Sequence, residues 1–484
     1  MAIQPTQTPS ITFDMAYGAN PITLEGITVT GDKYALRIYI VGQSDPIADI
    51  RQTPNKVGKA IFDIQNILQS YIAPSANDID GLHYSASGFA QQNTRMRLSG
   101  PTLLQYQFAY AEESNGVVGS FTTDPRIFTA INGSKQYFQV PFNTDNYIAK
   151  MSGVAPADCT FATRPAGPLS DNQWTIADTE TGDDFLTANG GYSSPGGIDV
   201  HNVYPNDQCT KTFYQKVERN ATNLPVAQVQ GIEAFHVLQF NAAGNIIDTA
   251  FLANTQSSGG GPNLAIGQGT QIAGQSQIIT VASGPANFPI GVLSPLCTHY
   301  YIVPVCYTPP VCITDEQSQT PISSQAAYKA QRYNVLTEPC NDYPHIQFAW
   351  QNSLGYRDQF TFTKRVEHKT RTKNNNFLKG AADYNSSEYS VDIQDRGYTT
   401  YSQKIDNDFM VMSGYMNDAE AELLKYLHQS AEVKVRFSEG EYANQWVPVT
   451  ILKTAYTEKT IRKDKLFQYS VSFRLASNIK AMRG

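Results

Sequence analysis

The sequence predicts an all-β protein, built from several β-sandwich domains with one or two short helices. Charged residues make up only 16% of the 484 positions, whereas aromatic residues reach 11%, with 28 Tyr and 23 Phe. The chain also contains 34 Gly and 26 Pro, which supply turns. Aromatic residues favour strands, and the Glu, Lys and Leu runs that are typical of helices are scarce. The length exceeds that of a single hydrophobic core, so about three domains are expected.

The order of the motifs divides the chain into three predicted domains. They are an N-terminal β-sandwich of residues 1–125, a loop-rich β domain of residues 126–325 and a C-terminal β-sandwich of residues 326–484 with one helix. The second boundary follows TPPVCITDEQSQTPISSQ, a Pro- and Ser-rich connector at residues 308–325. Residues 255–277 form the most biased segment, and we interpret them as a flexible or subunit-embracing loop, with plain disorder as the alternative.

The N-terminal domain shows strand and helix patterns in alternation. Residues 1–32 are rich in Thr, Pro and Gly, which indicates an extended arm or an edge strand. KYALRIYI (residues 33–40) and LLQYQFAY (residues 103–110) alternate as half-buried strands do. Between them, VGKAIFDIQNILQSYI (residues 57–72) places its apolar residues mostly at helical spacing and predicts an embedded helix or turn.

The middle domain contains two hairpin signals and one core strand. Asn132 and Gly133 form an NG pair, which is a strong hairpin-turn signal. IEAFHVLQF (residues 232–240) and IIDTAFL (residues 246–252) flank a short polar loop and predict a second hairpin. HYYIVPVCY (residues 299–307) is apolar and β-branched, as a core strand is.

The C-terminal domain begins with the clearest hairpin of the chain. HIQFAWQN (residues 345–352) alternates, with Ile346, Phe348 and Trp350 on one face, and DQFTFTKRVEH (residues 358–368) alternates again. The connecting SLGY is a turn in which Gly355 is free to take a positive φ.

Further strands and one helix follow this hairpin. KRVEHKTRTKNNN (residues 364–376) predicts an exposed strand end and loop. NDAEAELLKYLHQS (residues 417–430) predicts a helix with a capping box of Asn417 and Glu420 and a narrow Leu stripe. The remaining predicted strands are residues 388–395 and 399–405 and four runs that start at Glu432, Gln445, Ala455 and Phe467.

The net charge of −7 is unevenly distributed. The segment from Thr361 onward holds 19 Lys and Arg against 15 Asp and Glu, a net charge of +4, and residues 1–360 hold 17 against 28, a net charge of −11. A basic end on an acidic body suits head-to-tail contact between copies or contact with another charged partner, with a solvated basic face as the alternative. The asymmetry is too small to predict specific nucleic-acid binding.

The sequence contains no motif that carries chemistry. Asp183–Asp184 and Glu439–Glu441 are carboxylate pairs of the kind that a glycosidase uses, but neighbouring loop carboxylates are usually only solvated. The six Cys residues lack zinc-site spacing. We therefore predict no enzymatic activity, catalytic residue, cofactor or metal. The N-terminus lacks signal-peptide features and no apolar run reaches about 20 residues, which predicts cytoplasmic synthesis and no membrane partner.

The C-terminal block carries a resemblance to a known family. WQNSLGYRDQFTF, LLKYLHQSAEVKV, VPVTIL and KDKLFQYSVSFRLA resemble structural proteins of tailed bacteriophages that infect Bacteroidetes, including crAss-like phages. VGKAIFDIQNILQSYI and RIFTAINGSKQYF look similar to parts of the same proteins, whereas residues 145–330 have no match among them. The resemblance implies a virion component of the tail, baseplate or neck, with immunoglobulin-like or distal-tail-like β-sandwich domains, present as a ring.

Two function classes follow from this resemblance. The leading prediction is a structural virion protein, assembled in the host cytoplasm, that forms a homo-oligomeric ring and contacts other virion proteins of the tail, neck or portal region. The alternative is a receptor- or carbohydrate-binding protein on the virion surface. The candidate residues for contact with the next subunit are Tyr356, Arg357, Lys364, Arg365, Arg371 and Lys373, with a solvated loop as the competing interpretation.

Overall fold

A computed structural model describes most of the strand-forming parts of the chain. The described residues are 3–10, 14–26, 32–72, 96–98, 103–134, 148–149, 200–215, 234–253, 278–288, 293–306, 325–326, 331–336, 343–352, 354–378, 387, 398–416, 418–440, 442–452, 468–476 and 479–480. Strands dominate them and only two short helices occur among them, which confirms the all-β prediction. The predicted loop at residues 255–277 and the predicted strands at residues 388–395 and from Ala455 lie outside them.

The elements run in the following order. The strands are β1 Gln4–Gln7, β2 Asp14–Tyr17, β3 Pro21–Glu25, β4 Lys33–Ile40, β5 Ala48–Gln52, β6 Ala60–Asp63, β7 Met96–Leu98, β8 Leu103–Ser114, β9 Val117–Val118, β10 Thr122–Thr123, β11 Phe128–Ser134, β12 Ile148–Ala149, β13 Val200–Val203, β14 Thr210–Gln215, β15 Ala234–Phe240, β16 Ile246–Ala253, β17 Ile278–Ala282, β18 His299–Cys306, β19 Gln325–Ala326, β20 Gln331–Val335, β21 Ile346–Gln351, β22 Arg357–Phe362, β23 Val366–Leu378, β24 Tyr398–Met412, β25 Val433–Phe437, β26 Trp446–Ile451, β27 Ser470–Leu475 and β28 Ile479–Lys480. The helices are α1 Gln65–Gln69 and α2 Asp418–Gln429, and a 3-10 turn spans Pro285–Asn287.

The chain divides into two compact units. The first comprises Met1–Glu338 and Gln351–Gln359, and the second comprises Pro339–Trp350 and Phe360–Gly484. The division near residue 339 differs from the boundary expected at residue 325, and the split of the first part into two domains at residue 125 stays a prediction.

The described strands of the first unit form four sheets. Their orders are β1-β3-β6; β2-β11-β8-β4-β5 with β9 and β10 paired to β8; β12-β14-β17-β7; and β13-β20-β18-β15-β16 with β19 paired to β18. The predicted hairpin of β15 and β16 and the predicted core strand β18 are confirmed. The N-terminal segment contributes the edge strand β1 rather than a free arm, because β1 pairs with β3.

The N-terminal sheets pack as a β-sandwich around a shared core. Ile22 and Phe62 of the three-stranded sheet belong to the same buried cluster as Tyr34, Tyr106 and Phe108 of the seven-stranded sheet. Burying a large apolar side chain of this kind stabilises the fold by about 1.5–3 kcal/mol. This packing is what the alternating patterns at residues 33–40 and 103–110 predicted.

The helix expected over residues 57–72 is confined to α1. Residues 60–63 form strand β6 instead, which pairs with β3, so that Phe62 is buried and Ile61 is 52% exposed. The segment holds apolar residues at both strand and helix spacing. Its first half forms a strand because it pairs with β3. Its second half forms one helical turn, which buries Leu68.

The NG pair does not form the predicted hairpin turn. Asn132 and Gly133 lie inside β11, and Asn132 is buried. Strand β11 pairs in parallel with β2, and its register shifts between Ile131 and Ser134. The pair therefore occupies an irregularity within a central strand, where a glycine lets the backbone bend.

Three tight turns between consecutive strands share one Asn-x-x-Gly-x pattern. In each, the Asn side-chain oxygen accepts hydrogen bonds of 3.0 Å from the backbone N–H groups two and four residues later. The glycine N–H donates to the Asn carbonyl oxygen, and the glycine has a φ of 76° to 90°. The turns are residues 55–59, 241–245 and 352–356. The positive φ predicted for Gly355 is confirmed.

The described strands of the second unit belong to one eight-stranded sheet, which also includes residues 357–359 of β22. Its order is β22-β21-β25-β26-β27-β24-β23, with β28 paired to β24. Phe348 of β21 lies 5.2 Å from Phe473 of β27, measured between ring centroids, although two strands separate β21 from β27. The two rings therefore belong to a phenylalanine core that distant strands of the described sheet share. The predicted C-terminal β-sandwich stays a prediction.

The buried elements of this unit follow the predicted positions. All five residues from Ile346 to Trp350 are buried, so β21 is covered on both faces and not only on the predicted one. Helix α2 confirms the predicted helix, and Leu423, Leu424 and Leu427 are buried. The predicted capping residue Asn417 and the side chain of Glu420 lie outside the described residues.

Candidate interaction arm

Strands β23 and β24 form a long antiparallel hairpin, which we call the arm. Its pairing runs from Val366–Val411 to Leu378–Tyr398. Strand β27 pairs with β24 only over residues 408–412, and β28 pairs with it only at residues 404 and 405. In the described part of the chain, residues 398–403 therefore pair with β23 alone, and the outer half of the arm is a two-stranded ribbon.

The arm replaces the loop predicted at residues 364–376. Every residue of β23 from His368 to Leu378 is exposed, as predicted, but the segment is a continuous strand. Cross-strand contacts account for this, since the His368 ring stacks on Phe409 at 4.4 Å and Asn375 Nδ2 donates to Ser402 Oγ at 2.9 Å. Cross-strand pairs of this kind each contribute roughly 0.2–1 kcal/mol to strand pairing.

The two faces of the arm differ in charge. Alternate residues of a strand point to opposite faces, so Lys369, Arg371 and Lys373 share one face. Their cross-strand partners are Asp408, Asp406 and Lys404. The opposite face presents only uncharged or His side chains between residues 368 and 376, opposite Phe409, Asn407, Ile405, Gln403 and Thr400.

An ion-pair network holds the base of the arm to the sheet. Arg474 Nε of β27 lies 2.7 Å from Asp408 Oδ1, and Arg371 Nε lies 2.8 Å from Asp408 Oδ2. Arg474 also lies 3.4 Å from Asp406. The hydrogen bond from Arg474, together with the charges of Arg474, Arg371 and Lys369, lowers the pKa of Asp408 below its usual value despite the burial of this carboxylate.

Replacing Arg474 with glutamine tests this network. We expect a loss of about 1–2 kcal/mol in the free energy of unfolding at neutral pH, because a hydrogen bond between charged groups is removed from a largely buried carboxylate. A lowered folded-state pKa stabilises the fold above the unfolded-state pKa of about 3.9, and this stabilisation is lost as the pH falls through the folded-state pKa. The difference between variant and wild type should therefore shrink in acid.

Urea unfolding at neutral and acidic pH measures this effect. Arg37→Gln is the matched control, since Arg37 Nε also lies 2.7 Å from a carboxylate, Asp49, but both side chains are about one-third exposed. An exposed pair of this kind contributes about 0–1 kcal/mol. Equal losses in the two variants, or a loss for Arg474→Gln that does not change with pH, would contradict the proposed network.

Large exposed apolar side chains cluster at the outer end of the described part of the arm. Phe377, Leu378, Tyr398 and Tyr401, which we call the tip patch, are 46%, 68%, 73% and 54% exposed. The Phe377 and Tyr401 rings meet edge to face at 6.1 Å, and Leu378 pairs with Tyr398 across the strands. Aromatic groups that protrude on a ribbon are suited to a protein contact.

Two predicted interface residues are not accessible. Tyr356 and Arg357 are 3% and 4% exposed, so their side chains offer no contact surface, and the interface prediction for them is wrong. The cause is the Asn-x-x-Gly-x turn, in which Tyr356 N donates to Asn352 Oδ1. The Gln351 side chain donates to the Asn132 carbonyl oxygen at 3.2 Å and holds the same turn against β11.

The four basic candidates are exposed. Arg371 and Lys373 lie on the charged face of the arm, and Lys364 and Arg365 precede it, with Arg365 paired to Glu367. The prediction that these four contact a neighbour stays a prediction. Sequence reasoning missed the tip patch, although a signal was present. Residues 367–376 carry no large apolar residue, whereas Phe377, Tyr398 and Tyr401 follow in the sequence on either side of residues 379–397.

Comparison with known proteins gives no family for this chain. No family model matches it, and no curated protein matches it. In the described residues, no three or more His, Cys, Asp or Glu side chains are grouped to hold a metal ion. None of the helices in the described part has the length and apolar character needed to span a membrane.

Proposed function

We propose that this chain is a structural subunit of a tailed-phage virion, which forms a homo-oligomeric ring in the tail or neck and contacts neighbouring virion proteins. The observation that supports this proposal is the arm, a ribbon with an exposed aromatic end. The family resemblance of the C-terminal block supports the virion location and assembly in the host cytoplasm. No catalytic role enters the proposal.

The arm is suited to assembly because of what it exposes. Full burial of a large apolar side chain contributes about 1.5–3 kcal/mol, and the tip-patch side chains, which are about half to three-quarters exposed, have the corresponding part of this left to gain. Burial of several of them together therefore supplies a large part of a stable contact. Aromatic anchors at the centre of an interface dominate binding energies. A protruding element that enters a different surface of the next subunit makes a head-to-tail contact, and such contacts close into rings.

Replacing Phe377 and Tyr401 together with serine should weaken assembly. Both side chains are about half exposed, so the loss of their mutual contact costs the isolated chain little stability. Loss of two aromatic anchors should raise the dissociation constant about 1,000-fold, since each interface hot spot contributes about 2 kcal/mol or more and about 1.4 kcal/mol is a factor of ten. Sedimentation velocity of the full-length chain measures the change.

Val57→Ser with Tyr71→Ser is the matched control, because these residues are also exposed apolar side chains, at 74% and 46%, but lie off the arm. The control should assemble as wild type does. Unchanged assembly of the Phe377 and Tyr401 variant would refute a role for the tip patch. A wild-type chain that sediments only as a 53.4 kDa monomer at all concentrations would refute the proposed function.

A further inference from the structure

The charges along the arm change with distance from the sheet. Near the base, each cation of β23 faces a carboxylate of β24, with Lys369 opposite Asp408 and Arg371 opposite Asp406. One step farther out, Lys373 is directly opposite Lys404. Beyond this pair, the described residues of the arm, 374–378 and 398–403, include no Lys, Arg, Asp or Glu.

This cross-strand lysine pair is unfavourable in the isolated chain. Like charges directly opposite each other on one face of a sheet repel and destabilise the pairing. Lys404 lies 3.5 Å from Asp406, which is already shared with Arg474. Lys373 has no ion-pair partner among the described residues, and it is exposed. A carboxylate from outside the arm would relieve the repulsion.

We propose that the arm, from the Lys373–Lys404 pair outward to the tip patch, docks on a carboxylate-bearing surface of a second copy of this chain. In this contact the lysine pair makes the charged contact and the tip patch makes the apolar contact beside it. This inference rests on the proposed function, because it assigns the contact through which the ring forms. The uncharged face of the arm supplies polar groups that are buried at lower cost than charges.

Charge complementarity identifies the second copy as the occupant. Residues 1–360 carry a net charge of −11, against the two lysines of the outer arm. A head-to-tail contact places the arm of one copy against a different surface of the next, so opposite charges on the two parts of one chain are complementary between copies. Such a contact should form faster at low salt and weaken as salt screens it.

Lys373→Glu distinguishes a role of Lys373 in the contact between copies from a role in the stability of the fold. The variant places Glu opposite Lys404, which favours strand pairing within the arm, so the melting temperature should stay equal or rise. Assembly should weaken nonetheless, with a dissociation constant about tenfold higher at low salt and a smaller difference at high salt. Lys56→Glu is the control: Lys56 is exposed on a turn of the first unit, and its replacement changes the net charge equally.

Sedimentation velocity of the full-length wild type and both variants, at two salt concentrations, distinguishes the outcomes. Weaker assembly of Lys373→Glu alone, at an undiminished melting temperature, supports the docking contact. Assembly of Lys373→Glu equal to that of wild type overturns this inference and leaves the proposed function standing. Assembly that is weakened equally by Lys373→Glu and Lys56→Glu also overturns this inference, because the effect then depends on the net charge of the chain and not on the position of the lysine. A monomeric wild type overturns the proposed function itself, and with it a second copy as the occupant.

Discussion

Replacing Gly355 with alanine should cost more stability than any other single methyl addition in the described turns. A Cβ at this position would lie 2.1 Å from the Asn132 carbonyl oxygen and 2.4 Å from its carbon. These are backbone atoms of the buried strand β11, so no side-chain rotation relieves the clash. The φ of 90° adds strain that an L-residue with a side chain rarely tolerates. The two terms together predict a loss of more than about 4 kcal/mol in the free energy of unfolding.

The repeated turn supplies two matched controls. Gly58 and Gly244 occupy the same position of the same Asn-x-x-Gly-x turn with φ of 78° and 76°, and a Cβ at either would meet nothing within 4 Å. Alanine there adds backbone strain alone and should cost about 1–2 kcal/mol. Urea unfolding of the three variants separates strain from steric exclusion. Equal losses at all three positions would mean that the close approach to Asn132 contributes nothing.

Replacing Trp350 with alanine should cost about 3–5 kcal/mol through loss of packing and the cavity left behind. Trp350 is 0% exposed and is among the largest fully buried side chains of the described residues. Its indole N–H has no hydrogen-bond acceptor there, so the loss is one of packing and not of a hydrogen bond.

Two comparisons sharpen the Trp350 experiment. Trp350→Phe keeps most of the buried ring and should lose clearly less stability than alanine does. Trp446→Ala removes the same side chain from a half-buried position of β26 and should also lose less. Chemical denaturation of the three variants measures the order. A near-zero loss for Trp350→Ala would contradict the burial of the β21 face that carries Trp350.

The sequence predicted an element correctly where the apolar residues followed a single period, either that of a strand or that of a helix. The alternation at residues 33–40, 103–110 and 346–351 became β4, β8 and β21, and the leucine spacing in residues 417–430 became α2. Residues 57–72 fit two periods at once, and pairing with β3, which is distant in sequence, decided between them. The NG pair at Asn132 failed as a turn signal for the same reason, since β2 pairs in parallel with that segment.

The candidate site was predicted only in part. Its basic residues stand out in the sequence, and their exposure follows from their charge. The burial of Tyr356 and Arg357 depends on a tight turn packed against β11, which local sequence does not encode. The difference between the two faces of the arm can be predicted only if the pairing register of β23 and β24 is known. The same register brings Phe377 and Tyr401 together in the tip patch.

Amide hydrogen exchange along β23 is the most direct test of the arm as the contact between subunits. Among the strands that the structure describes, β23 pairs only with β24, so we expect amides on its outer edge to exchange rapidly in the dilute chain. We predict that exchange over residues 368–378 slows when the concentration is raised from monomer to assembly, while exchange in the turns at residues 55–59 and 241–245 stays the same. Identical exchange over residues 368–378 at both concentrations would contradict assembly through the arm.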